Sequence, residues 1–208
     1  MDEKLEQILG KSLQMFLKYG IRSVSMDDIC REMGISKKTL YAHFENKSDL
    51  LEHIIRFSHQ REHSQFMECK ESNLNAIDKL LKVSQMVSEN IKQYNPSILF
   101  ELEKYYPALY QMFKAEKKEH IYQNVVSNIR QGKQEGLYRE ELDEEVVAML
   151  YIQKLIGLQS EEFRLMKEYN PEKMFEIMFE NHIRGIANQK GIEYLEKQKE
   201  SLKNNNTN

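Results

Sequence analysis

The sequence has no tryptophan, two cysteines, three prolines and eight glycines in 208 residues. Two cysteines, Cys30 and Cys69, are too few for a disulfide scaffold, so the small secreted class is excluded and a reduced, cytoplasmic, soluble protein is expected. So little proline and glycine, beside abundant Glu, Lys, Leu, Met and Ile, predicts an all-α chain. No segment alternates apolar and polar residues for long enough to make a strand. Long apolar runs are missing as well. The longest charge-poor stretch, Val146 to Gln159, spans fourteen residues and contains Lys154; that is too short to cross a bilayer and predicts a buried helix, with no membrane partner. The first residues, MDEKLEQILGK, are too acidic and amphipathic for a secretory leader. A basic excess is also lacking. The net charge of -3 by itself argues against a nucleic-acid partner.

The distribution of charge tells more. Residues 1 to 50 hold eight basic and eight acidic side chains, so this quarter is neutral. Between Ser36 and Lys47 the balance becomes +2, from Lys37, Lys38 and Lys47 against Glu45, with His43 beside them. Leu5, Ile8, Leu9, Leu13, Phe16 and Leu17 recur at helical steps and predict a helix that Gly20 ends. Ser25 is placed to cap a second helix, with Asp27 and Asp28 in its first turn and Gly34 as its stop. Ser36 then caps a third helix, expected to run through Phe44. Two short helices joined by Gly34-Ile35-Ser36 make a helix-turn-helix pattern. Leu40 and Phe44 face inward, and Lys37, Lys38, Thr39, Tyr41 and His43 are left to project outward. A helix entering a major groove needs such donors at its start, and Lys47 adds charge at the next helix.

The stretch SVSMDDICREMGISKKTLYAHFENKSDLL, residues 23 to 51, resembles the TetR (tetracycline-repressor) family of bacterial transcriptional regulators. Cys30 stands where alanine is usual and Lys38 where glycine is frequent. The resemblance implies a three-helix DNA-binding domain over 1–48. An all-helical effector-binding and dimerisation domain follows over 49–189, and 190–208 is expected to be a charged, frayed tail. It implies a homodimeric repressor of a palindromic double-stranded DNA operator, touched by Ser25, Ser36, Lys37, Lys38, Thr39, Tyr41, His43 and Lys47. No enzyme activity and no cofactor are expected.

Three further expectations concern the rest of the chain. Phe100, Tyr105, Tyr106, Tyr110, Phe113, Tyr122 and Tyr151 are more aromatic residues than a plain bundle needs. They read either as core or as the wall of a ligand cavity, with Glu101, His120 and Gln153 as polar anchors; the resemblance favours the cavity. Glu101 and Glu103 point to a small apolar or cationic effector. After Pro171, the residues Phe175, Met178, Phe179, His182, Ile183 and Ile186 form an apolar stripe. With Ile152 and Ile156 of the Val146–Leu158 helix, it is the expected dimer interface. The alternative function rests on HQREH, His59 to His63. It matches H-x-x-E-H, a zinc-hydrolase signature, and would use His59, Glu62 and His63. Its polar flanks argue against a catalytic cleft, and no metal is expected.

Overall fold

The computed structural model describes residues 3–93, 97–158 and 170–205, without the side chains at 65, 69–71, 90–93, 97 and 201–205. Among these residues there are ten helices: α1 (Glu3–Tyr19), α2 (Met26–Met33), α3 (Lys37–Tyr41), α4 (Lys47–Glu71), α5 (Ala76–Gln93), α6 (Ser97–Tyr105), α7 (Pro107–Gln134), α8 (Glu144–Leu158), α9 (Pro171–Ile186) and α10 (Gln189–Asn205). No strand occurs among them, only an isolated bridge between Tyr138 and Ala187. No helix among them is long and apolar enough to cross a membrane. The expected extension of α8 over 159–163 and the side chain of Cys69 lie outside the described residues.

The chain divides into two compact units, Met1–Gln65 with Gln93–Lys117, and Phe66–Lys92 with Lys118–Asn208. The module expected over 1–48 is embedded in the first. Its core joins Ile8, Leu9 and Phe16 of α1, Ile29 of α2, Leu40 of α3, Leu50, Leu51 and Ile54 of α4, and Leu102 of α6. Cys30 is buried there, and burial pushes its thiol upward in pKa, which makes it a small apolar filler.

The second unit gathers Ile77, Val125, Ile129, Tyr138, Phe175, Phe179, Ile183 and Leu195. Gly132 lets the Tyr138 ring lie directly on α7, since a Cβ there would meet the ring at 2.1 Å. The Tyr138 hydroxyl donates to Asn128 Oδ1 at 3.0 Å, and Asn128 Nδ2 donates to the Ala76 carbonyl at 2.9 Å. A buried hydroxyl is thereby satisfied inside an apolar core.

Three boundaries differ from expectation. α3 ends at Tyr41, because Ala42, His43 and Phe44 turn back on Lys38 and Leu40 carbonyls; Phe44 still reaches the core beside Leu40. Asn46, not Ser48, caps α4: its Oδ1 accepts from Ser48 N at 2.9 Å and Asp49 N at 3.1 Å. The segment expected to fray instead forms α10. Leu195 is buried there and Tyr194 donates to Asp78 Oδ2 at 2.6 Å.

Candidate nucleic-acid interface

The turn between α2 and α3 is fixed by local chemistry. Ser25 and Asp28 form a reciprocal capping box at the start of α2. Gly34 ends the helix at φ 64°, in the left-handed region that glycine enters without strain. Ser36 begins α3: its Oγ accepts from Thr39 N at 3.1 Å and lies 2.9 Å from Thr39 Oγ1. One hydroxyl proton of that pair bridges the two oxygens, and the other is left to donate outward.

Lys37, Lys38 and Tyr41 are exposed on this helix and Thr39 is half-buried, so the structure brings the four candidates onto one short element. Their states differ. Lys37 Nζ sits 2.7 Å from Asp27 Oδ2, and this bond raises its pKa. Its charge is therefore shared with α2. Tyr41 is 49% exposed, its phenol open to a partner. His43 is half-buried against Phe44, with ring centroids 6.1 Å apart. The Ser25 hydroxyl donates to Asp28 Oδ2 at 2.6 Å, and its N–H donates to the same oxygen at 2.9 Å. In this state Ser25 holds the helix and has no spare donor for a phosphate. Lys47 lies with its ammonium 5.7 Å from the Phe16 ring centroid. Burial pulls its pKa down, against the charges of Glu101 and Asp28.

A contact that sequence reasoning missed ties the turn after α1 to α6. Arg22 N donates to Glu101 Oε2 at 2.9 Å and Arg22 Nη1 donates to the Tyr105 hydroxyl at 2.9 Å. Gly20, at φ 86°, sits against the same carboxylate. The partners are 79 and 83 residues apart, and no local signal announces them.

The other candidate groups are redistributed. Glu101 serves Arg22 rather than a cavity. Phe100 and Tyr105 are exposed, and Tyr106, Tyr110 and Phe113 pack on the first unit's core. In the second unit His120 meets Phe66 edge-on, Tyr122 packs on the core, Tyr151 is buried and Gln153 is exposed. Of these ten, Phe113 alone lines the cavity between α4 and α7, whose other walls include His59, Glu62 and Glu116.

The expected interface list also changes. Ile152, Phe175, Phe179, His182, Ile183 and Ile186 are buried within the single chain, and Met178 packs on the same core. They have no free surface to offer a partner. His182 stacks on Tyr151 at 4.3 Å, and burial lowers its pKa to about 4. The apolar side chains left outside are Val146, Met149, Leu150 and Ile156 on α8 and Ile177 on α9. As for zinc, among the described residues no group of three His, Cys, Asp or Glu is placed to hold a metal ion. His59 faces Glu116, whereas His63 is exposed.

A family model described as bacterial regulatory proteins, tetR family, matches residues 8–54. The chain is similar to an uncharacterized HTH-type transcriptional regulator of Bacillus subtilis, YvaF. The two are 22% identical over 183 residues, covering 88% of this chain and 95% of YvaF. Among solved structures, a transcriptional regulator from Cytophaga hutchinsonii superposes with a TM-score of 0.74 at 18% identity, over 90% of this chain and 100% of that one. A transcriptional regulator from Saccharomonospora viridis in complex with choline gives 0.67 at 17% identity, over 91% and 100%.

Proposed function

The chain is a TetR-family transcriptional regulator, and on that premise we propose that it is a homodimeric repressor of a near-palindromic operator, released by a small ligand. The observation that carries this reading is the set of outward donors on α3, held at a defined angle by Ser25, Gly34 and Ser36. Residues 1–48 read DNA, and 49–189 pair the protomers and bind the effector. Lys38, Tyr41 and the free hydroxyl proton of the Ser36–Thr39 pair reach base edges and phosphates, and Lys37 joins them by leaving Asp27. Lys47 contributes charge beside α3.

A two-fold dimer presents two such helices about one DNA turn apart, ~34 Å, to successive major grooves. The exposed row Val146, Met149, Leu150 and Ile156 supports pairing through α8, because the row recurs on one helical face and has no partner within the chain. A ligand that favours another spacing lowers operator affinity, and DNA lowers ligand affinity by the same factor. The choline bound by the Saccharomonospora regulator supports a small cationic effector.

The test is selection from a randomised duplex pool followed by mobility-shift titration. A near-palindromic motif with strongly salt-dependent affinity is expected. No enriched motif, or affinity indifferent to salt, refutes the reading.

A further inference from the structure

We propose that the cavity between α4 and α7 binds the protonated amine head of a ligand carrying its own N–H donors. This rests on the ligand-responsive reading above and names the chemistry of its effector. The cavity lies within the first unit and comprises about 250 Å³ of space, part of it open to solvent. That is several times the share of one water molecule, ~30 Å³.

Its walls are short of donors. Ser58 Oγ and Glu116 Oε2 are both cut off from solvent, and neither makes a hydrogen bond. The cations nearest the Glu116 carboxylate are too distant to satisfy it: His59 Nδ1 is 3.8 Å from Oε2 and Arg56 Nη1 is 3.9 Å from Oε1. Arg56 is held back by Glu52, which it meets at 2.9 Å. A buried carboxylate oxygen without a donor is costly, and an incoming ammonium removes that cost.

Charge points the same way. Glu62 and Glu116 line the cavity against one ammonium, that of Lys117. Lys117 itself lies 5.4 Å from the centroid of the Phe113 ring, so this wall already attracts a cation. Glu62 stands one turn beyond Ser58 and His59, which explains why the HQREH segment pairs a histidine and a carboxylate on this face without His63. A bare metal ion does not fit, because no adequate donor group is assembled among the described residues. A quaternary ammonium brings charge but no N–H for Ser58 Oγ or Glu116 Oε2. The ligand class is therefore a primary amine.

Calorimetric titration of the full chain with benzylamine, and separately with tetramethylammonium, tests this. Benzylamine should bind saturably, one per chain, and tetramethylammonium should not compete. Glu116→Gln, nearly isosteric, should weaken benzylamine at least tenfold and Ser58→Ala several-fold. Lys117→Met, which removes the competing cation, should tighten it. No saturable binding at millimolar benzylamine, an unchanged constant in Glu116→Gln, or equal competition by tetramethylammonium overturns the proposal. Operator titration with benzylamine present is read separately. Intact amine binding with unaltered DNA affinity keeps the site and refutes its role as effector site.

Discussion

Leu150→Glu separates folding from pairing. Val146, Met149, Leu150 and Ile156 are 52%, 52%, 58% and 40% exposed. Full burial of such a side chain is worth about 1.5–3 kcal/mol, so covering the half that remains outside contributes roughly 1 kcal/mol each. Four residues on each of two protomers then supply about 8 kcal/mol of gross stabilisation to a two-fold pair. Losing Leu150 twice removes about 2 kcal/mol, or roughly thirty-fold in the dissociation constant. Two carboxylates in an apolar seam add a desolvation cost that takes the change past about a hundred-fold. Ile183→Ala behaves oppositely. Ile183 is 1% exposed in the chain's own core, and its truncation should cost about 2–5 kcal/mol of folding stability. Sedimentation velocity over a concentration series, beside circular dichroism and operator titration, reads both. Leu150→Glu should be a helical, cooperatively melting monomer with lost operator binding. A Leu150→Glu dimer with unaltered operator affinity refutes the α8 interface.

Asp27→Asn frees Lys37 from its 2.7 Å ion pair and should tighten DNA binding while steepening its salt dependence, measured by fluorescence anisotropy. Tyr41→Phe and Lys47→Ala should weaken binding to every duplex, whereas Lys38→Ala should alter base preference in the selected pool. His182 titrates at about 4 when folded against 6.5 ordinarily. Its contribution is intact above pH 6.5 and is lost as pH falls toward 4, where the unfolded chain takes a proton the native state refuses. The total is about 3 kcal/mol, and urea unfolding of His182→Leu should lack that slope. Gly132→Ala drives a methyl into the Tyr138 ring and should lower stability by about 1–3 kcal/mol. Gly10→Ala, with nothing within 4 Å, should raise it by about 0.5–1 kcal/mol, both read by thermal melts.

What could be read in the sequence was what is decided within three or four residues. Ser25 with Asp28, Gly34, and Ser36 with Thr39 act on their own helix ends, so the turn was legible. Asn46 and Ser48 are rival caps two residues apart, and only geometry chooses between them. The stripe at Phe175, Phe179, Ile183 and Ile186 was equally plain as a period of burial. Periodicity does not say whether the cover comes from the same chain or from a second copy, and here the same chain provides it. Arg22 with Glu101 left no trace because their pairing spans 79 residues. The α10 segment looked like a tail because its sequence is mostly charge, yet Leu195 and Tyr194 suffice to anchor it.

The buried sulfur of Cys30 makes the DNA-reading unit its own stopwatch. In a Cys69→Ser background, a thiol reagent can reach Cys30 only when α2 lifts from α1 and α3, since closed molecules hide the sulfur and disfavour its thiolate. When reclosing outpaces labelling, the rate is the free-thiol rate multiplied by the open fraction, and each 1.4 kcal/mol of closure slows it about tenfold. Operator DNA added to the reaction should slow labelling in proportion to site occupancy, so the exchange clock reports, without any attached probe, how firmly DNA holds the head shut.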